Sequence, residues 1–473
     1  MRYDVVVIGS GLGGLICARQ LARSGRSVVL IERHRLAGGC LQSYRRDGMD
    51  WDTGLHYVGG LAPGQPLHQA FQELGLLRLP WQRLDADGFD RITIGSRTFC
   101  LAEGYDRFVD TLARQFPAAR QRLTDFVQLL QRVAGSDDNA MQHLSASAYD
   151  TLLSVLADPL LLSVVSAAAM RLELRRESLP LFTFAHALNS YIQSAWRLRG
   201  SGSLMVRSLV RDIEDAGGQM CCGTEVRRLK TQGDRVVEAV CTGDRRFEGR
   251  LFVSDVHPQL TFSWLGDSPL LKPVFRHRMA ALTNTCGMFT VSLLVKPERL
   301  LYFNHNKYVY RTPDVWDLDD HPDGVGGVMV SARVPEDGSR YVRQLDLLTP
   351  MPWTLCQRWT DTAVGRRGED YEQTKQRLAD ECIALAERVV DGLRHSIDKC
   401  YTSTPLTWRD YTLTPSGSAF GVRKDYRQPL MTMLSPRTPV PNLLLTGQSL
   451  SLHGVEGVTQ SALNTLEWIK KTL

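Results

Sequence analysis

VVVIGSGLGGLICARQLARSGRSVVLIERHRLAGGC, residues 5–40, reads as a strand, a glycine-rich turn, a helix and a second strand closed by an acid. Tyr3 to Ile8 is apolar and β-branched after Asp4, which suits a central parallel strand covered on both faces. Gly9, Gly11 and Gly14 then spell G-x-G-x-x-G around Ser10, Leu12 and Gly13. The first glycine allows the tight turn, the second lets the backbone approach a pyrophosphate, and the third lets the helix close on the sheet. The pattern predicts a helix over Gly13–Ser24, stopped by Gly25, whose N-terminal amides face the phosphates. Ser27–Ile31 is the next strand. Glu32 at its end, followed by Arg33, can accept both ribose hydroxyls of an adenosine half. Glycine turns are common alone; here the strand before, the helix after and the acid beyond agree on a dinucleotide site. An acid rather than a base there disfavours a 2′-phosphate. The stretch leaves open whether the dinucleotide is NAD or FAD.

The adjoining run, RHRLAGGCLQSYRRDGMDWDTGLHYVGG (33–60), resembles the second fingerprint of FAD-dependent amine oxidases, carotenoid desaturases and their relatives. In that fingerprint a diglycine, here Gly38-Gly39, lets the chain pass close to the cofactor. A hairpin comes next, here Ser43–Asp52, and then Asp-x-Gly, matched by Asp52, Thr53 and Gly54. A plain hairpin turning at Arg46-Asp47-Gly48 would explain the turn but not the diglycine and the DTG together. Cys40 reads as a small residue packed beside the cofactor. Downstream, RGSGSLMVRSLVRDIEDAGGQMCCGTEVRRL (199–229) reads as a glycine turn, a helix and a strand, and the resemblance implies that the Val226 backbone meets the adenine. The run ending FVSDVHP closes a further strand at the Asp255-Val256-His257-Pro258 corner. NLLLTGQSLSLHGVEGVTQSALNTLEWI (442–469) gives another strand, a glycine loop and a C-terminal helix. The resemblance makes Gly447, beside Gln448, the flavin-contacting glycine. It also has the helix start near Gly457, Val458 and Thr459, its positive end aimed at the flavin. Four separated segments on one long cofactor imply FAD. A second G-x-G-x-x-G for a nicotinamide donor is absent from the sequence.

Two stretches narrow the resemblance. GGCLQSYRRDGMDWDTGLHYVGG (38–60) and PLTWRDYTLTPSGSAFGVRKDY (405–426) are similar to the phytoene desaturase superfamily, nearest its carotenoid isomerase and retinol saturase branch. The likeness covers nearly the whole chain, weakly between about 100 and 195, and GQSLSLHGVEGV departs from a variable part of the pattern. It implies an α/β fold: a Rossmann-like FAD-binding domain of amine oxidase or GDP-dissociation-inhibitor-like architecture, with an inserted α+β substrate domain. The expected division is 1–60, 196–265 and 415–473 for the first, 61–195 and 266–414 for the second. It also implies a flavin at the end of a long apolar cavity, and chemistry that adds, removes or rearranges C=C bonds in an isoprenoid, polyene or other lipid-like substrate. The apolar periodicity predicts helices over 105–135 and 369–396, and strands in MFTVSLLVK (288–296), YVYRT and GVMVSARV. Each apolar stripe reads first as ordinary core, and the cavity is what the resemblance implies.

Composition is compatible with this. Of 473 residues, 43% are hydrophobic and 23% charged, and a net charge of +5 implies no nucleic-acid partner. Ten cysteines without a CxxC pair suggest reduced thiols and no metal site. The dinucleotide motif begins at once, so no secretory signal is expected, and the location read from this is cytoplasmic, with peripheral contact at the inner face of a membrane suiting a lipid substrate. In TLLSVLADPLLLSVVSAAAM (151–170) the Asp158-Pro159 break favours a buried helix pair over a membrane span. Flavin chemistry also needs a proton moved beside the reacting carbon. His56, His453 and Glu456 are the candidates, each histidine as a general acid or base near neutral pH, and Glu456 equally as a cap of the last helix. The expected partners are a hydrophobic small molecule and an electron donor or acceptor: quinone, oxygen or transiently docked NAD(P)H. Two other readings of the scaffold are an amine oxidase and a non-enzymatic prenyl or lipid carrier.

Overall fold

Strand Arg2–Ile8 lies between two parallel neighbours, Val28–Ile31 and Arg246–Ser254, and Val5, Val6 and Val7 are wholly buried because both faces of the sheet are covered. This is a computed structural model, and it describes residues 2–135, 139–318 and 324–472. The parallel set continues through Gln219–Cys221 on one side and Leu443–Leu445 on the other. An antiparallel meander, Val226–Gln232 and Arg235–Cys241, joins at the far half of Arg246–Ser254. Helices Leu12–Arg23, Ser203–Asp215 and Gly454–Thr472 cover one face, packing Leu15, Ile16, Leu209 and Ala462 into one core. The helix begins at Leu12 and the second strand at Val28, one residue off the predicted bounds in each case.

A second sheet runs in the order 397–403, 287–295, 344–351, 327–332, 306–310, 90–94 and 97–101. It is antiparallel throughout except where Asn306–Tyr310 pairs with Asp90–Ile94. Helix Glu369–Glu387 packs Leu378, Cys382 and Leu385 on one face. The other face carries the helices between 105 and 193, whose Leu123, Phe126, Leu162, Phe184 and Ile192 belong to the largest core. So the parallel sheet draws on 2–31, 219–254 and 443–445, and the second sheet on 90–101, 287–351 and 397–403.

Three predicted helices have different bounds. The 105–135 helix is broken into Tyr105–Ala113 and Arg120–Gly135, because Pro117 lacks the amide that a continuous helix needs. The 369–396 helix stops at Glu387, and a short turn of helix resumes only after Gly392, which adopts φ +71°. The last helix starts at Gly454, before Val458 and Thr459. The 151–170 run forms two helices, Ala148–Leu156 and Pro159–Ala167, with the Asp158 carboxylate accepting from the Leu160 and Leu161 amides as an N-cap. Among the described residues, no helix is long and apolar enough to cross a membrane.

Candidate active site and nucleotide cleft

The carboxyl ends of the parallel strands open into a large cavity that continues between the second sheet and the helical layer. Its first part is made by backbone. Gly9 turns at φ +93°, and a side chain at Gly14 would collide with the Gly9 carbonyl, so the turn and the helix close as tightly as the motif requires. Ser10 joins the fingerprint pieces. Its amide and hydroxyl donate to Glu32 Oε2 at 3.0 and 2.6 Å, while its carbonyl and hydroxyl oxygens each accept from the Gly38 amide at 3.0 Å. The other Glu32 oxygen accepts from the His34 amide at 2.7 Å. Gly39 passes so near Gly11 that a Cβ there would stand 3.0 Å from the Gly11 Cα.

Beneath the turn lies Asp255, at the end of Arg246–Ser254. Its amide donates to the Ile8 carbonyl at 2.8 Å, which locks the corner to the first strand. Its carboxyl packs against the glycines: a Cβ at Gly13 would sit 2.6 Å from Oδ1, and one at Gly11 would meet Oδ2. Burial pushes this carboxyl up to about 7 against the lowering effect of the Gly14 amide. Hence Gly11 is required by an acid of the protein itself as well as by any ligand.

Of the predicted cofactor-contacting residues, Gly9, Ser10, Gly11, Leu12, Glu32, Arg33, Gly38, Gly39, Cys40, Thr53, Gly54, His56, Val226, Gln448, Gly457 and Val458 line the cavity. Five do not reach its wall. Gly13 and Gly447 lie behind it, packed together against Asp255, and Gly14 faces the Gly9 carbonyl. Thr459 turns into its own helix and donates to the Val455 carbonyl at 2.7 Å. Asp52 is spent on the protein: it accepts from the Gly202 amide at 2.7 Å and the Ser43 hydroxyl at 2.9 Å, and pairs with Arg333 at 2.5 Å. The first turn of the last helix, Val455 to Val458, does face the cavity, and the Val455 and Glu456 amides at its start have no intrahelical acceptor.

The far part is apolar, walled by Ala168, Ala169, Leu172, Met288, Leu348 and Phe420. His56, His453 and Glu456 lie on the same wall. His453 packs 5.2 Å from the Phe420 ring, with both ring nitrogens buried and unpartnered; His56 Nε2 is likewise unpartnered. Burial, aided by nearby cations, lowers both imidazoles to about 3. At neutral pH both rings are then neutral, because their surroundings offer a proton's charge no solvation. Glu456 moves the other way. Burial raises its carboxyl to about 7, opposed by a hydrogen bond from Ser190. It does not fold back onto the helix start as a cap. Sequence reasoning missed Asp255, Arg171 and Tyr191 as cavity neighbours. The signals were an acid directly after an apolar strand, and an arginine ending the apolar 151–170 run.

Comparison with known proteins agrees with this construction. Residues 7–74 match the model of a NAD(P)-binding Rossmann-like domain, so this part of the chain is a nucleotide-binding fold. The chain is 24% identical to the all-trans-retinol 13,14-reductase of Danio rerio, over 97% of its own length and 84% of that protein's. It is 21% identical to the chloroplastic prolycopene isomerase of Daucus carota, over 95% of its length and 76% of the relative's. A structure of putrescine oxidase bound to putrescine has the same fold, with a TM-score of 0.69 and 15% identity over 100% of this chain and 99% of that one. The similarity to the phytoene desaturase superfamily therefore extends along nearly the entire polypeptide, through relatives named as reductases and isomerases.

Proposed function

We propose that the chain is an FAD-dependent enzyme that adds, removes or relocates a C=C bond in a polyene or other long unsaturated lipid-like molecule. One observation carries this reading: a single cavity has bare glycine backbone and the acid Glu32 at one end and a greasy wall at the other, with Glu456 and two neutral imidazoles on it. FAD fits the residues present. Gly9, Gly11 and Gly39 present bare backbone to the cavity, where phosphates would approach, Glu32 is held by Ser10 in place for a ribose, and the first turn of Gly454–Thr472 offers free amides. When bound, FAD would supply hydride transfer to or from its isoalloxazine ring. The relatives' names support a polyene as the substrate class.

The chain's own residues would do the rest. The apolar wall excludes water, which strengthens every polar contact inside. The helix terminus favours negative charge at the cavity. Glu456, poised near neutrality, would hold or release the proton at the carbon beside the reacting bond. His56 and His453 would act as neutral hydrogen-bonding groups. Electrons that a net oxidation or reduction requires would come from, or go to, a partner docking transiently.

The test begins with colour. The purified protein should show flavin absorption, and solvent extraction followed by mass spectrometry should release FAD together with an unsaturated lipid. Incubation with a conjugated polyene should then shift the polyene's absorption as bonds are gained, lost or moved. A protein that reconstitutes with no flavin, yet carries lipid, would refute the enzyme reading in favour of a carrier.

A further inference from the structure

We infer that the substrate of this cavity carries a carboxylate at one end of its unsaturated chain, and that Arg171 receives it. The inference rests on the polyene reading above and makes it more specific.

Arg171 lies in the turn Ala168–Leu172, where the apolar helix Pro159–Ala167 ends, and it faces the cavity beside Ala168 and Leu172. A guanidinium in an apolar wall is costly unless something answers its charge. Its neighbours answer it with hydroxyls and ring faces and with no carboxylate in direct contact. It donates to the hydroxyls of Tyr57 at 2.7 Å and Tyr191 at 3.1 Å, and lies over the two rings, 4.2 and 4.7 Å from their centroids. Its Nε is buried with no partner.

The charge count around it is uneven. Tyr57 passes the contact on, donating to Asp90 at 2.7 Å. From the other side Arg197 reaches the same Asp90 through Asn306, with contacts of 2.6 and 2.8 Å. Arg197 is buried and Arg171 is half-buried at the cavity wall, and Asp90 is the carboxylate that each reaches through an intermediary. Among the described residues, neither has a carboxylate at ion-pair distance. A buried and a half-buried cation thus share one buried anion, each through an intermediary, and one positive charge is left beside the cavity. Burial raises Asp90 itself to about 6, so even that anion is held under strain. A single carboxylate would balance the excess, and its two oxygens match the guanidinium fork. An alcohol or a hydrocarbon end would leave the charge unanswered.

The experiment is calorimetric titration of the flavin-loaded protein with linoleic acid, linoleyl alcohol and the corresponding octadecadiene. The acid should bind about ten- to hundredfold more tightly than the alcohol, the scale of a charge-assisted hydrogen bond. Arg171→Gln should erase that preference while leaving the affinities for alcohol and hydrocarbon unchanged. Should the Gln variant fail to fold, Arg171→Lys should retain a reduced preference for the acid. Equal binding of acid and alcohol overturns the inference and leaves the polyene reading standing. So does an Arg171→Gln protein that keeps the preference but loses flavin affinity, since the charge would then serve the cofactor. If none of the three ligands binds, the lipid cavity itself is refuted and the inference falls with it.

Discussion

At the nucleotide end of the cavity the acid Glu32 already has partners on both oxygens; at the far end several ring and guanidinium nitrogens have none. Both Glu32 oxygens are taken up by Ser10 and by the His34 amide, and Ser10 in turn fixes Gly38. By contrast, both nitrogens of His453, Nε2 of His56 and Nε of Arg171 are buried and unpartnered. Buried polar groups without partners are expensive, and they persist where a ligand completes them. The first end is preorganised by backbone and would hold its ligand at small ordering cost. The second is completed by what enters, so it decides selectivity and chemistry.

The strongest way to break this contrast is at the backbone end. Gly11→Val should reduce bound flavin from near one per chain to near none, read by absorbance after gel filtration. The added side chain runs into the Asp255 carboxyl before it meets any ligand. Gly11→Ala combined with Asp255→Gly should therefore recover part of the flavin that Gly11→Ala alone loses. Failure to recover any would mean that the ligand, and not Asp255, sets the space at Gly11.

At the far end the largest effect should come from Glu456. Glu456→Gln should keep its flavin yet slow turnover about a hundredfold or more, the usual scale for a general acid–base. With the carboxyl at about 7, wild-type activity should show a titration near that pH, and the Gln variant should lose it. Stability has a definite sign as well. The folded-state value is raised above the ordinary 4.5, so the group's contribution is fully present below 4.5 and is lost as pH rises through about 7. Melting of the apoprotein should fall across that window, and Glu456→Gln should flatten the fall. His453→Ala should cost less, about tenfold in turnover, with no change in the pH profile, because the imidazole is neutral throughout. A hundredfold loss with a shifted profile would restore His453 as the proton carrier.

Legibility in the sequence divides along the same contrast. Gly9, Gly38 and Glu32 are readable because a tight turn or a ribose contact demands a residue type at a fixed spacing, and local sequence carries that demand. The helix breaks at Pro117 and Gly392 are written in the chain too, but apolar periodicity continues across them and masks them. Arg171, Tyr57, Asp90, Asn306 and Arg197 meet only through pairing of distant strands and helices, and no short stretch records that meeting. Nor does spacing reveal titration: His56 and His453 look like ordinary neutral-pH histidines until their burial is known.

Asp52 sharpens the comparison from within a readable motif. It belongs to the Asp-Thr-Gly run, yet its carboxylate holds the Gly202 amide ahead of helix Ser203–Asp215 and pairs with Arg333, away from the cavity. Asp52→Asn keeps an acceptor for Gly202 and removes the charge. Arg333 is largely buried and retains only the longer contact to Asp346, at 3.6 Å. Breaking one side of such a buried pair should destabilise the fold by about 3 kcal/mol. Flavin affinity, measured below the melting transition, should change by no more than about threefold, since a cofactor that never touches Asp52 loses no contact; about 1.4 kcal/mol would be needed for tenfold. A tenfold or larger loss of flavin at unchanged stability would mean that Asp52 acts on the cofactor directly, and that the motif residue and the cavity wall coincide after all.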